Sequence, residues 1–231
     1  MSGNPSNFIL SALPPALRKT LLARMEPIDL PVETVLLRPG EKPEFAHFMT
    51  SGITSVVTFM TDGIGAEVGL IGREGVVEAF HLLGPANSPT TAFVQVAGTA
   101  LRMPFAELQK EAFASERLLR CILEFIQRHN FSLNQLAACN GLHEIEERLA
   151  RWLLMVEDRV ENPRFELTQE FLAEMLGTRR TSVTLAAGSL QRSGLIEYRR
   201  GHINILDREK LEGAACECYP IVRALTHPTS R

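Results

Sequence analysis

The stretch LTQEFLAEMLGTRRTSVTLAAGSLQRSGLIEYRRGHINIL, residues 167–206, constrains the fold more than any other part of the chain. Thr168 is a good N-cap, and Glu170 follows in the first turn, where the helix dipole favours an acid. Phe171, Leu172, Met175 and Leu176 then form an apolar face. Gly177 comes next, where a left-handed residue would end the helix. Thr178 can cap a second helix with Val183, Ala186, Ala187 and Leu190 inward and a stop at Ser193-Gly194. Two short helices across a Gly-containing turn predict a helix-turn-helix. Leu195–Tyr198 and His202–Ile205 flank Arg199-Arg200-Gly201, which predicts a β-hairpin with Gly at its tip. A helix-turn-helix with a following hairpin is a winged helix.

Charge is concentrated in this module. Residues 176–204 hold Arg179, Arg180, Arg192, Arg199 and Arg200 against Glu197, and five minus one gives +4 in a chain of net charge −3. The opening residues of a recognition helix reach base edges in the major groove. An arginine there can pair with guanine O6 and N7, worth ~1–3 kcal/mol of discrimination. Thr168, Thr178, Arg179, Arg180, Thr181, Ser182 and Thr184 are therefore candidate contacts to bases or phosphates. Arg199 and Arg200 on the wing are candidate contacts to the flanking backbone. The competing reading is a winged helix that contacts protein, with its arginines on a solvated face. It is disfavoured, because the charge falls on the two places DNA contact needs it.

The remainder of the chain changes character twice. Residues 1–30 read as a helical lead-in, with Leu10, Leu13, Leu17 and Leu21 at spacings of three and four and Pro14-Pro15 at a helix start. Residues 31–104 hold short runs rich in Val, Ile, Thr and Phe between turn signals: TVLL, AHFMTSG, ITSVVTFM, AEVGLIG, TAFVQV and TALRMP. That rhythm predicts an antiparallel sandwich or barrel, with REGVVEAFHLLG (73–84) as a short helix or loop lying on it. Residues 105–160 are almost free of Gly and Pro and should be helical. Leu119, Ile122, Ile126, His129, Leu133 and Leu136 form a heptad stripe there, and Asn140-Gly141 is expected to break it. A second helix then runs to Glu161-Asn162-Pro163. From pattern alone the stripe is either a face packed on its own sheet or a homodimer seam. His129 reads as a packed or register-setting polar residue rather than a metal ligand.

The carboxy-terminal motif resembles the Crp/Fnr family of bacterial transcription regulators. LTQEFLAEMLGTRRTSVTLAAGSLQRSGLIEYRRGHINILDREKLE carries the pattern T-x-x-x-(L/I)-A-x-x-(L/V)-G-x-x-R-x-x-V, then L-x-x-x-G-(L/I)-I and the wing. NFILSALP, LLRPGE and MTSGITSVV resemble the opening helix and first barrel strands more weakly. The resemblance implies an α+β chain: an N-terminal antiparallel β-roll over 1–104, a dimerisation helix and hinge over 105–140, and a winged helix-turn-helix over 141–231. It implies a homodimer paired through the stripe, double-stranded DNA with a palindromic operator, and RNA polymerase as a further partner. Arg180 falls where the family places a base-reading arginine. Thr181 stands where many members have Glu, and Leu185 where the cyclic-AMP-responsive members have a second arginine. The best-known family operator is therefore not expected.

The sensor half departs further. Cyclic-nucleotide-binding members hold the ribose with Glu and the cyclic phosphate with Arg. Here Glu78 is near the first position, but Pro89-Thr90-Thr91-Ala92 replaces the arginine segment. A buried phosphate without a cation is poorly compensated, and Arg73 fits the position badly. Tight cyclic-AMP binding is not expected. Glu78, Phe80, Leu82, Leu83, Thr90, Thr91 and Phe93 form a candidate pocket for an unknown small-molecule effector, or they simply fill the core.

Other classes fare worse. The barrel has only His47 and His81, far apart, so neither a metal cupin nor a haem regulator is supported, and no nucleophile elbow or phosphate loop marks an enzyme. Residues 1–120 contain no cysteine for an iron–sulfur cluster. Cys121 and Cys139 read as ordinary helix residues. Cys216-x-Cys218 admits a zinc or redox role, with two free thiols the simpler reading, and no cofactor or metal site is assigned. No apolar run approaches the ~20 residues of a membrane span. The opening residues lack a basic n-region, and the cysteines form no disulfide framework, so a reducing cytoplasm is expected. The tail THPTSR is expected to fray.

Overall fold

The computed structural model describes residues 7–227; most of the THPTSR tail lies outside them. The chain divides into two compact units. One comprises residues 1–56 and 69–130, the other residues 57–68 and 131–231.

The first unit opens with helices α1 (Phe8–Ser11) and α2 (Pro15–Leu22). Asn7 fixes α1 from both sides. Its Oδ1 accepts from the amides of Ile9 and Leu10, and its Nδ2 donates to the carbonyls of Met49 (3.1 Å) and Gly75 (2.8 Å). Pro15 takes the first position of α2, as expected. The lead-in is not helical throughout, because Glu26–Leu30 form strand β1. Strands β2 (Val35–Leu37), β3 (Phe45–Met49), β4 (Ile53–Phe59), β5 (Gly65–Ile71), β6 (Thr91–Val96) and β7 (Gly98–Pro104) follow, matching the six runs read from the sequence. They form antiparallel sheets of order β1-β7-β3 and β2-β6-β4-β5. Residues 79–82 form a single 3-10 turn within the 73–84 segment.

The strand register depends on two glycines. A Cβ on Gly52, at φ +73°, would lie 2.5 Å from the Val96 carbonyl oxygen, and one on Gly98 would lie 2.3 Å from that of Ser51. No side chain fits between these backbones. Inside, Phe48, Met49, Val76, Val94 and Met103 are almost fully buried.

Helix α3 (Phe105–Ala114) and the 27-residue helix α4 (Glu116–Leu142) follow. Asn140-Gly141 does not break the helix. It runs to Leu142, and the His143 amide still donates to the Cys139 carbonyl at 3.1 Å. The break comes at Glu144, whose amide donates to Glu147 Oε2 at 3.0 Å to start α5 (Ile145–Val160). Glu161, at φ +53°, ends α5 where expected.

The stripe on α4 is divided. Ile122 is 0% exposed, and Ile126 and His129 are 6% exposed, all three buried inside their own unit with Leu118 and Phe125. The His129 ring lies 5.6 Å from the rings of both Phe80 and Phe125. Leu119, Leu133 and Leu136 are only half-buried, while Leu123 is 41% exposed. The periodicity therefore overlays two faces, and its Ile122–Ile126–His129 part faces the protomer's own core.

The second unit contains β8 (Arg164–Glu166), α6 (Gln169–Met175), α7 (Arg180–Arg192), β9 (Ile196–Arg199), β10 (His202–Ile205), α8 (Arg208–Ala214) and α9 (Cys218–Thr226). Helix α5 is its beam. Leu149, Leu153 and Val156 are fully buried, and α7, α8 and α9 all pack against it. Trp152 is 2% exposed, and its Nε1 donates to Glu67 Oε1 at 2.8 Å. Arg208 binds Glu157 (2.7 Å) and Asp158 (2.6 Å), locking α8 to the end of α5.

Truncating Ile122 should open a cavity in a core that cannot fully collapse. Ile122→Ala is expected to cost ~2–5 kcal/mol, against under ~1 kcal/mol for Glu124→Ala at an exposed position nearby. Chemical denaturation of the two variants checks this. Equal costs would mean that the stripe is not buried in its own unit.

Candidate nucleic-acid interface

Helix α6 begins as the sequence predicts. Thr168 is its N-cap, and the hydroxyl accepts from the Phe171 amide at 3.1 Å. Leu172, Ala173 and Met175 are buried beneath it. Gly177, at φ +57°, makes the left-handed turn, and the Thr178 amide closes it on the Ala173 carbonyl at 2.9 Å. The second helix starts later than expected. Thr178 does not cap it; Arg179 is the N-cap residue and makes no side-chain cap bond. The first-turn amides of α7 therefore lack the side-chain acceptor expected from the sequence, which favours an anion there.

Val183, Ala186, Ala187 and Leu190 are buried, which turns the opposite face of α7 outward. Arg179, Arg180, Thr181 and Thr184 are exposed along that face, and Ser182 is half-buried. Arg180 Nη1 pairs with Glu170 Oε1 at 2.5 Å, but the two side chains are 63% and 61% exposed. An exposed pair of this kind is worth ~0–1 kcal/mol, so Arg180 is held loosely. The Thr184 hydroxyl lies 2.8 Å from Gln169 Oε1 and 3.0 Å from the Arg180 carbonyl, and links α6 to α7.

The wing forms as read. β9 and β10 pair His202 with Arg199 and Ile205 with Ile196, and β8 adds on the far side of β10. The loop is the two residues Arg200 and Gly201, at φ +52° and +83°, the geometry of a tight hairpin turn that suits strand twist. Tyr198 braces it, its phenol donating to the Leu167 carbonyl at 2.8 Å. Burial, followed by the nearby Glu170 charge, pushes that phenol up to about 12, so it remains a donor. Arg199 and Arg200 are exposed.

Three residues here were not among the sequence candidates. Leu185, on the outward face of α7, is 74% exposed, and such a side chain suits the methyl group of thymine. Glu170 and Gln169 orient Arg180 and Thr184; their only sequence signal was a place in the first turn of α6.

The candidate effector residues lie in the first unit. Glu78 is 1% exposed, with Oε1 2.6 Å from His47 Nδ1 and Oε2 accepting from the His47 amide at 2.9 Å. Its carboxylate is spent on β3. Arg73 sits over the Phe8 ring, 5.5 Å from its centroid. Leu82 is buried and Leu83 is 59% exposed; both line an open groove with His81, Phe105 and Phe113. Phe80, Thr90, Thr91 and Phe93 are half-buried and do not line that groove.

The second unit is a winged helix whose outward face carries arginines. Residues 147–214 match the Crp-like helix-turn-helix domain. The chain is 24% identical over 217 residues to the CRP-like cAMP-activated global transcriptional regulator of Mycobacterium tuberculosis, covering 88% of this chain and 94% of that one. Its fold is shared with a CRP-family transcriptional regulator from Thermus thermophilus (TM-score 0.67, 21% identity, 84% of this chain and 100% of that one). It is shared also with the c-di-GMP-responsive global regulator CLP of Xanthomonas campestris (TM-score 0.68, 17% identity, 83% and 99%). Residues 147–214 thus carry a Crp-like helix-turn-helix domain, and the chain as a whole is similar to CRP-like transcription regulators in sequence and in fold. Among the described residues no helix is long and apolar enough to cross a membrane.

Arg200 separates backbone strain from charge. A non-glycine residue in the left-handed region costs ~1–2 kcal/mol. Arg200→Gly should therefore raise stability by up to ~1 kcal/mol while lowering the slope of log affinity against log salt by about one. Denaturation and salt-titrated DNA binding check both halves. An unchanged slope would remove Arg200 from the interface.

Proposed function

We propose that the chain is a homodimeric regulator that reads a palindromic operator with α7 and does not bind cyclic AMP tightly. The observation that carries the reading is the outward face of α7, where Arg179, Arg180, Thr181 and Leu185 stand exposed at the end of a turn fixed by Gly177. Arg180 is cast as the base reader, since its Glu170 partner holds it weakly. Leu185 in place of a second arginine would shift preference toward a thymine methyl. Thr181, Ser182 and Thr178 are cast as phosphate or base contacts. Arg199 and Arg200 would grip the flanking backbone. Thr168 caps α6, and Thr184, on the outward face, is cast as a further contact that also ties α7 to α6.

Dimerisation is proposed through α4, by the residues that its own unit leaves open: Leu119, Leu123, Leu133 and Leu136. Two winged helices related by a two-fold axis would address half-sites about one DNA turn apart. Leu123→Glu should convert the dimer to monomer by light scattering without loss of helix content. A dimer that survives it would place the seam elsewhere. Bound at a promoter in the cytoplasm, such a dimer would act on RNA polymerase.

The cyclic-AMP proposal rests on two features of the β-roll. Residues 89–92 supply no cation, and Glu78 is taken by His47. The groove beside Leu82, Leu83 and Phe105 is the proposed entry for an apolar effector. Bound duplexes should be selected from a random pool by wild type and Arg180→Ala, each with and without cyclic AMP. A palindrome enriched by wild type, relaxed in the variant and indifferent to cyclic AMP is expected. Equal enrichment by both proteins would remove Arg180 as the reader. Enrichment only with cyclic AMP would overturn the sensor reading. Salt-independent retention of duplexes would favour a winged helix that contacts protein.

A further inference from the structure

Four side chains that are scattered in sequence converge in the second unit, away from the DNA-reading edge. Cys139 and His143 are four residues apart on one face of α4 and its helical extension, since the His143 amide still donates to the Cys139 carbonyl. Cys216 lies just before α9 and Cys218 is its first residue, and the Tyr219 amide donates to the Cys216 carbonyl at 3.0 Å. The three thiols are 0%, 3% and 1% exposed. All four ligand atoms lie within 4.8 Å of one another.

We propose that Cys139, His143, Cys216 and Cys218 bind a structural zinc ion. The spacings carry this. A tetrahedral zinc with Zn–S ~2.3 Å and Zn–N ~2.0–2.1 Å places its ligands ~3.6–3.8 Å apart. Cys139 Sγ and Cys216 Sγ are 3.4 Å apart, and Cys218 Sγ and His143 Nδ1 are 3.6 Å apart. An iron–sulfur cube would need its ligand sulfurs much further apart. Four protein ligands leave no open position, which is the mark of a structural rather than a catalytic site.

The surroundings fit the same ion. His143 turns Nδ1 to Cys218 and Nε2 to Glu217, whose Oε2 is 3.1 Å away. A carboxylate on the far nitrogen is the usual way to orient a zinc-bound imidazole. Gln135 Nε2 donates to Cys218 Sγ at 3.1 Å, a second polar partner for that sulfur. Three thiolates and one zinc carry a net charge of −1. Arg151, 3% exposed with a buried Nε that has no hydrogen-bond partner among the described residues, and Arg148 both place positive charge near Cys139 and Cys216. A buried arginine beside two neutral thiols has little to offset its desolvation; beside a negative metal–thiolate centre it does. The fold thus changes the reading of Cys139, which joins the Cys216-x-Cys218 pair. The ion would staple the C-terminal helix to the end of α4.

The test uses the full-length chain purified under reductant, with metal content measured by mass spectrometry. About one zinc per chain is expected, falling at least tenfold in Cys139→Ser and Cys216→Ser and unchanged in Cys121→Ser. Cobalt exchanged into wild type should give thiolate charge-transfer and intense tetrahedral visible bands, a readout that needs no variant to fold. Chelation should lower Tm by ~5–10 °C. Wild type that takes up neither zinc nor cobalt overturns the proposal. So does equal zinc loss from Cys121→Ser, or a Cys139–Cys216 disulfide in metal-free protein, which would assign the pair to redox chemistry. None of these outcomes depends on DNA reading.

Discussion

The outward edge of α7 depends on the burial of one face of α5. Leu149, Leu153 and Val156 exclude water from the seam that α7, α8 and α9 share. Each such side chain contributes ~1.5–3 kcal/mol of transfer free energy. The exposed pairs on the reading edge are worth a fraction of that each. Hydrophobic contact therefore sets the direction of α7, and the polar residues act from a platform already fixed. The same platform allows the apolar half of α7, Val183, Ala186, Ala187 and Leu190, to present Arg180 and Leu185 outward, with only the exposed Glu170 pair to hold the arginine.

The winged helix was legible because every signal in it is local. Thr168 as a cap, Gly177 as a left-handed stop and Arg200-Gly201 as a two-residue loop each act within a few residues of themselves. The start of α7 is the local exception: Thr178 could cap it by type, but the helix begins one residue later, with Arg179 at the N-cap. Strand β1 was missed for a different reason. EPIDL has no clean alternation and contains Pro27, which is tolerated because β1 is an edge strand that pairs only with β7. The helix through Asn140-Gly141 was missed because propensity outweighed context: one glycine costs ~1 kcal/mol, and burial of Cys139 on the same turn exceeds it.

Periodicity has a second limit, visible on α4. A 3-4 repeat says that a helix has an apolar face, not what covers it. The resemblance to dimeric regulators drew the stripe toward a partner, yet Ile122 is as buried as any core residue of the β-roll. The stripe is wide enough to serve two surfaces, and only the fold tells the inward residues from the outward ones. The pocket residues failed in a similar way. Glu78 matched a sequence position, but a carboxylate in a core takes the nearest donors, and His47 supplies two. The cysteines illustrate the opposite case, since no spacing along the chain links Cys139 to Cys216.

A net charge of −3 does not oppose DNA binding by this fold. At physiological ionic strength charges are screened beyond ~8 Å, so the phosphates respond to what lies beside them. The acids that matter are then few. Glu170 already pairs with Arg180, and replacing that exposed carboxylate by a phosphate or a guanine edge exchanges a weak partner for a stronger one. Glu157 and Asp158 both pair with Arg208, on the α5–α8 side of the unit. Acidic surplus elsewhere serves solubility and disfavours indiscriminate adhesion to nucleic acid. A short basic module on an acidic body would thereby confine affinity to the outward face of α7 and the wing.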